Sequence, residues 1–234
     1  PLSDFWQIGK GIERRLNKMR IFNMYDIAHT EQKRLYKEFG VNAEYLIDHS
    51  WGKESCTIAD IKAYKPKTNS ITNSQILFED YSFVKARLVL KEMVELGSLR
   101  LIESNLVTGT ISLYIGYSKN IIKATGGTRK LSNYTNTYSE LLKAFLEIYD
   151  KTTDKSVAIR RIGVNFANVI ETENVQLSLF KDQEKIDEER KLELAMCSIK
   201  NKMGKNAIIR GMDLEEGATT MMRNKLIGGH NGGE

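Results

Sequence analysis

Ala158–Phe180 reads AIRRIGVNFANVIETENVQLSLF, and its period decides the fold. Val157 and Ile159 are apolar at odd positions, whereas Ile162, Val164 and Phe166 are apolar at even ones. A strand presents alternate residues to alternate faces, so a change of phase needs one extra residue, and a β-bulge supplies it. The residues at the change are Arg160 and Arg161. The pattern predicts a bulged strand that turns both guanidiniums to the open face of a sheet, where their planar forks suit phosphate oxygens. The alternative is a central strand whose arginines pair with carboxylates.

The end of the same stretch has another character. Gln176-Leu177-Ser178-Leu179-Phe180 offers one amide and three apolar side chains on an extended peptide, followed at once by Asp182 and Glu184. Such a segment suits the groove of another protein. The alternation of Leu177 and Leu179 leaves a last strand of the domain open as the other reading.

Outward from this stretch, a βαββαβ order is legible. Gln75–Tyr81 reads as a strand led by Ser70, Asn73 and Ser74, whose short polar side chains suit phosphate contacts or strand entry. Phe83–Leu96 is helical, with Ala86, Leu90, Met93 and Val94 inward. Thr110–Tyr117 alternates Ile111, Leu113 and Ile115 with Ser112, Tyr114 and Gly116. Gly126–Tyr134 is a polar strand carrying Arg129 and Lys130. Tyr138, Leu141, Leu142, Phe145 and Tyr149 then form a helical core stripe. Two helices on one face of a four-stranded sheet give a ferredoxin-like α+β arrangement whose other face is open and relatively basic.

Residues 1–65 read as short helices. Ile12, Leu16 and Met19 share a face, Thr30 is placed to cap a run ending at Phe39-Gly40, and Asn42 another ending near Trp51. The first helix follows Phe5-Trp6-Gln7-Ile8-Gly9-Lys10-Gly11. Two glycines let backbone come close to a ligand, and the helix start directs free N–H groups outward, as in a helix–hairpin–helix loop on a DNA phosphate. An ordinary glycine-capped turn is the plainer reading. Pro66, in Lys65-Pro66-Lys67-Thr68-Asn69-Ser70, marks a linker. At the other end, Asp182–Met203 reads as a charged helix with a narrow stripe of Leu192, Ala195, Met196, Ile199 and Met203, a solvated helix packing loosely. Nothing in the residue pattern assigns chemistry to Gly211–Ala218 or to Arg223–His230.

The 234 residues suffice for one large or two small domains with a real core. The net charge of +5 comes from 35 basic and 30 acidic residues. The excess lies in residues 1–67, with 12 basic against 9 acidic, and in 68–175, with 13 against 11. This balance is compatible with nucleic acid without requiring it. Two cysteines and three scattered histidines form neither a zinc pattern nor a disulfide framework, which fits a reducing compartment. No membrane segment or leader is visible. The chain begins at Pro1 without a methionine and reads as a fragment lacking its N-terminal part.

Taken together, these residues resemble the C-terminal half of Y-family translesion DNA polymerases, in particular the UmuC-like UV-damage-repair branch of Gram-positive bacteria. Phe5–Gly11 is similar to the start of that family's thumb, and Ser70-Ile71-Thr72-Asn73-Ser74-Gln75 to the entry of its little finger. Arg160-Arg161-Ile162-Gly163-Val164 looks like the last little-finger strand, and Gln176–Phe180 like the bacterial sliding-clamp motif. The run Arg223–His230 is similar to the same branch. The resemblance implies a thumb at 1–65, a linker at 66–73, a little finger at 74–174 and a clamp-binding, partly helical tail at 175–234. It implies DNA contacts from Gly9, Lys10, Gly11, Ser70, Asn73, Ser74, Arg129, Lys130, Arg160 and Arg161, and clamp contacts from Gln176, Leu177, Ser178, Leu179 and Phe180.

The family's catalytic carboxylates and their two Mg ions belong to a palm domain that nothing here matches. Asp4 and Glu13 are too few for it, so the expectation is a cytoplasmic, nucleoid-associated portion that grips DNA in the SOS response without catalysing transfer itself. A catalytically inactive clamp-binding accessory protein and a scaffold that never touches DNA remain the alternatives.

Overall fold

The computed structural model describes residues 1–64, 69–174 and 183–226. The chain divides into two compact units, Pro1–Lys67 and Thr68–Glu234.

The first unit is helical. After a 3-10 turn at Leu2–Asp4 come α1 (Lys10–Lys18), α2 (Met24–His29), α3 (Gln32–Phe39), α4 (Ala43–Ser50) and α5 (Ile58–Ala63). Leu16, Ile21, Ile27, Leu35, Phe39 and Leu46 form its core, with Ile12 and Met19 packed at the margin, as the spacing on α1 predicts. Thr30 departs from expectation. It ends α2, donating its hydroxyl to Asp26 O at 2.6 Å, and leaves the start of α3 to Glu31. The cap on α2 is Asn23, whose Oδ1 accepts from Asp26 N at 2.9 Å and satisfies one of the open donors of the first turn.

The second unit runs β1 (Ser70–Tyr81), α6 (Phe83–Glu103), β2 (Leu106–Tyr117), β3 (Thr125–Thr135), α7 (Tyr138–Thr152) and β4 (Ile159–Glu171). All pairs are antiparallel and the sheet order is β1-β4-β2-β3, so the last strand lies between the first two and β1 and β3 are edges. Ile111, Ile115, Ile162, Val164 and Phe166 point to one side and are fully buried against Ala86, Leu90, Met93, Leu141 and Phe145 of the two long helices. Each such side chain contributes about 1.5–3 kcal/mol of transfer free energy. Phe166 meets Phe145 edge-on, with ring centres 5.4 Å apart.

Two strand starts, the end of α6 (Glu103 rather than Leu96) and the packing of the charged helix differ from the sequence reading. β1 begins at Ser70 rather than Gln75, inside the expected linker, because Ile71 already packs inward while Ser70, Thr72 and Ser74 face solvent. β2 likewise starts at Leu106 rather than Thr110. The charged helix α8 (Gln183–Met203) buries Glu193, Met196 and Cys197, whereas Leu192 and Met203 of the expected stripe are exposed. Met196 and Cys197 pack on Leu99 of α6.

Past α8, a 3-10 turn at Gly211–Leu214 and the short α9 (Thr220–Arg223) return to α6. There the amides of Thr219 and Thr220 donate to the buried Glu92 at 2.8–2.9 Å. The C-terminal segment up to Leu226 is therefore built into the second unit.

Candidate nucleic-acid interface

The bulge read from the phase change is present. Opposite β2, Arg161 pairs with Gly116 and Ile159 with Tyr117, which leaves Arg160 as the extra residue. Its consequence is narrower than expected. Arg161 lies on the open face, while Arg160 makes an ion pair with Asp80 at 3.7 Å, the carboxylate alternative holding for that residue. Asp80 is itself held by the Ser118 hydroxyl at 2.8 Å.

Register defines the open face, because residues directly opposite in antiparallel strands point the same way. Four rows cross the sheet: Ile76–Arg161–Gly116, Ser74–Gly163–Tyr114–Gly126, Thr72–Asn165–Ser112–Thr128 and Ser70–Ala167–Thr110–Lys130. The Arg161 Nε donates to Ser74 Oγ at 3.0 Å, and the guanidinium lies 5.6 Å from the centre of the Tyr114 ring, within cation–π range. Thr72 donates to Asn165 Oδ1 at 2.7 Å, and Ser112 and Thr128 share a hydrogen bond at 2.9 Å. Gly116 leaves the space this arrangement needs, since a Cβ there would stand 3.1 Å from Arg161 Cβ and 3.2 Å from Tyr114 Cε1. The result is a shallow, hydroxyl-rich face with Arg161 at one end and Lys130 at the other.

The same parity places two candidates on the other side of the sheet. Arg129 opposes Ile111, a core position, so it points to the helix side and pairs with Glu147 of α7, holding that carboxyl below its ordinary range. Adjacent strand residues cannot share a face, so Lys130 alone of the pair is on the open side. Asn73 is likewise on the helix side, opposite Val164, between the outward Thr72 and Ser74. Thr72, Ser112, Tyr114, Thr128 and Asn165 belong to the face although the sequence reading does not single them out as site residues. Period-two alternation already sets Ser112 and Tyr114 on the polar side, and it finds the others once the strand limits are known.

In the first unit, Gly9 caps α1, and Lys10 and Gly11 open it. A Cβ at either glycine would meet nothing within 4 Å, and neither has positive φ, so the fold of the unit does not itself demand glycine there. The left-handed residue of this turn is Gln7, at φ 65°. Before this turn, Leu2–Asp4 forms a 3-10 turn. Gln176, Leu177, Ser178, Leu179 and Phe180 lie outside the described residues. Among the described residues, no three His, Cys, Asp or Glu side chains are grouped to hold a metal ion, and no helix is long and apolar enough to cross a membrane.

Residues 68–179 match the C-terminal domain of the impB/mucB/samB family. The chain is 34% identical over 154 residues to the DNA repair protein homolog YobH of Bacillus subtilis, an alignment covering 64% of this chain and 70% of that protein. The chain belongs to the impB/mucB/samB family. Similarity to curated relatives extends over nearly the whole chain. UvrX, a Bacillus subtilis protein named for UV-damage repair, is 33% identical over 236 residues, covering 98% of this chain and 55% of UvrX. A protein named DNA polymerase IV 2, of Halalkalibacterium halodurans, is 28% identical over 235 residues, covering 98% and 55%. The chain thus spans about half the length of these two relatives. The matched family domain begins just before β1 and runs past β4, so all four rows of the open face fall inside it.

Proposed function

We propose that this chain is the DNA-holding portion of a lesion-bypass DNA polymerase, acting in repair of and tolerance to DNA damage. The observation that carries the reading is the in-register open face, in which hydroxyls, an amide and the Arg161 guanidinium line one side of a sheet inside the family domain. Hydroxyls and guanidiniums bind phosphate oxygens and sugars, and such contacts set position without reading base edges. A grip of that kind tolerates a damaged base, because the distorted edge is never inspected. In this reading the second unit is the ferredoxin-like little finger along the backbone. The first is the thumb, with Gly9, Lys10 and Gly11 presenting a helix–hairpin–helix loop to a phosphate. The segment Gln176–Phe180 tethers the polymerase to the bacterial sliding clamp.

Binding to primer–template duplex across a salt series tests the grip. Affinity should fall linearly with log salt, and Arg161→Ala should make the slope shallower by about 0.9, because one phosphate fewer is neutralised on binding. Arg129→Ala, on the helix side, should leave the slope unchanged. Salt-independent binding, or equal slopes for wild type and Arg161→Ala, would remove the open face from the mechanism. The tether has its own test. Leu177→Ala combined with Phe180→Ala should weaken clamp binding at least tenfold (about 1.4 kcal/mol) while DNA affinity stays as it was. Unchanged clamp affinity would refute the assignment of that peptide.

A further inference from the structure

At the β1 edge, on the helix side of the sheet, a cleft of about 680 Å³ opens between Asn73, Gln75, Arg100 and the C-terminal Arg223 and Asn224. Its polar groups do not balance. Gln75 is almost wholly buried, and its Oε1 accepts from Arg223 Nη1 at 3.0 Å. That guanidinium can only donate and so fixes the amide, which makes the Nε2 the other end, and it is buried without an acceptor. Asn73 Nδ2 is also buried without an acceptor, two residues along the same face of the strand.

The acids of the cleft have partners of their own. Glu92 takes both Thr219 donors and the Thr220 amide, Glu95 faces Arg210 at 3.2 Å, and Glu103 accepts from Asn201 at 2.7 Å. Arg100 and Arg223 form no ion pair among the described residues, and burial weighs against the charge on Arg223. What is left over is mostly donors, two amide N–H₂ groups and two guanidiniums, against one buried Glu95 oxygen that has the Arg210 ion pair but no hydrogen bond. An unmatched buried donor costs about 1–3 kcal/mol, so the arrangement calls for an acceptor with several oxygens.

We propose that this cleft is an oxyanion site for a phosphoryl group, held by Arg223 and Arg100 from one side and by Asn73 and Gln75 from the strand. Side chains two apart on a strand are separated by about 6.6 Å, a spacing that two hydrogen bonds to different oxygens of one tetrahedral group can bridge. Guanidinium forks match such oxygens in pairs. The phosphoryl group comes either from a nucleic-acid backbone or from a phosphate monoester. The site goes beyond the open-face grip, because Asn73 points away from Arg161 and its neighbours. It also gives Arg223 a chemical role.

The test is thermal unfolding of the full chain titrated with inorganic phosphate, against chloride at matched ionic strength. Wild type should rise in Tm with phosphate, by mass action on the folded state. Asn73→Leu, which replaces an unmatched donor with an apolar group of similar size, should melt higher than wild type without phosphate. Its phosphate response should be at least tenfold weaker in apparent Kd. Arg223→Gln should also lose the response, and Asn73→Leu serves if that variant fails to fold. Arg161→Ala should keep the response, which separates the cleft from the open face. A short oligonucleotide with a 5′ phosphate, compared with its dephosphorylated twin, identifies the source. Displacement of phosphate by both means a backbone phosphodiester, and by the first alone a monoester. Equal phosphate responses in wild type and Asn73→Leu, or no response beyond chloride in either, would overturn the proposal.

Discussion

Gly97→Ala should destabilise the second unit by about 2 kcal/mol or more, although alanine is the better helix former. Gly97 lies in the interior of α6, where replacing glycine normally gains about 1 kcal/mol. Here α6 crosses the sheet so closely that a Cβ at 97 would stand 2.1 Å from Phe166 Cε2 and 2.2 Å from its Cζ. The ring cannot swing aside, since Phe166 is fully buried and set edge-on against Phe145. Overpacking of this kind costs about 1–3 kcal/mol and sometimes more, because a close-packed core has no slack to take up the extra group. The overlap reaches well inside van der Waals contact, so the steric cost outweighs the helix-propensity gain. Urea unfolding of wild type, Gly97→Ala, Phe166→Leu and the double variant measures it. The double variant should be more stable than the sum of the two single destabilisations implies, by at least about 1 kcal/mol of coupling. A more stable Gly97→Ala protein would show that α6 sits farther from the sheet.

That close approach illustrates what is legible in the chain and what is not. The βαββαβ order, the core stripe of α7 and the bulge at Arg160 all follow from apolar period, which is a local property. Membership of a face follows from the same period, yet it is misjudged wherever two neighbours are taken together. Arg129 and Lys130 have to part, as do Asn73 and Ser74, and only the register decides which member faces out. The start of β1 is hidden because Ser70, Thr72 and Ser74 make an open strand look like a linker by hydrophobicity. Least legible is the C-terminal segment. Glu193 is fully buried, and its face of α8 carries Met196 and Cys197, but a glutamate in a charged helix reads as solvated unless its partner is known. That partner, Arg210, is 17 residues away along the chain and has no periodic signature.

Arg210 is also where the strongest dependence on pH is expected. Its Nε lies 3.2 Å from Glu95 of α6, its Nη2 3.7 Å from Glu193 of α8, and its guanidinium 4.3 Å from the Tyr138 ring centre of α7. One side chain of the C-terminal segment thus joins three helices. Burial, reinforced by Glu189, pushes the Glu193 carboxyl from 4.5 up to about 7, and burial raises Glu95 as well despite Arg210. A carboxyl raised in the folded state binds more protons there than in the unfolded chain between those two values. Stability is therefore greatest below pH 4.5 as far as Glu193 is concerned, and is lost as pH rises from there through 7, by roughly 3 kcal/mol. Glu193→Gln should flatten that slope and stabilise the unit at pH 8.

Arg210→Met should act oppositely. It leaves two buried carboxylates without their cation, which costs about 3–5 kcal/mol when both are charged. At pH 5 Glu193 is already largely neutral, so the destabilisation there should be distinctly smaller. Hydrogen exchange at the Thr219 and Thr220 amides, which bond to buried Glu92, reads the docking of this segment directly. Protection in Arg210→Met should collapse at pH 8 and partly survive at pH 5, after correction for intrinsic exchange rates. An equal collapse at both pH values would mean that Arg210 acts by packing on Tyr138 and that its charge is incidental. A pH-dependent collapse makes the C-terminal segment a part of the unit whose attachment is set by one shared guanidinium.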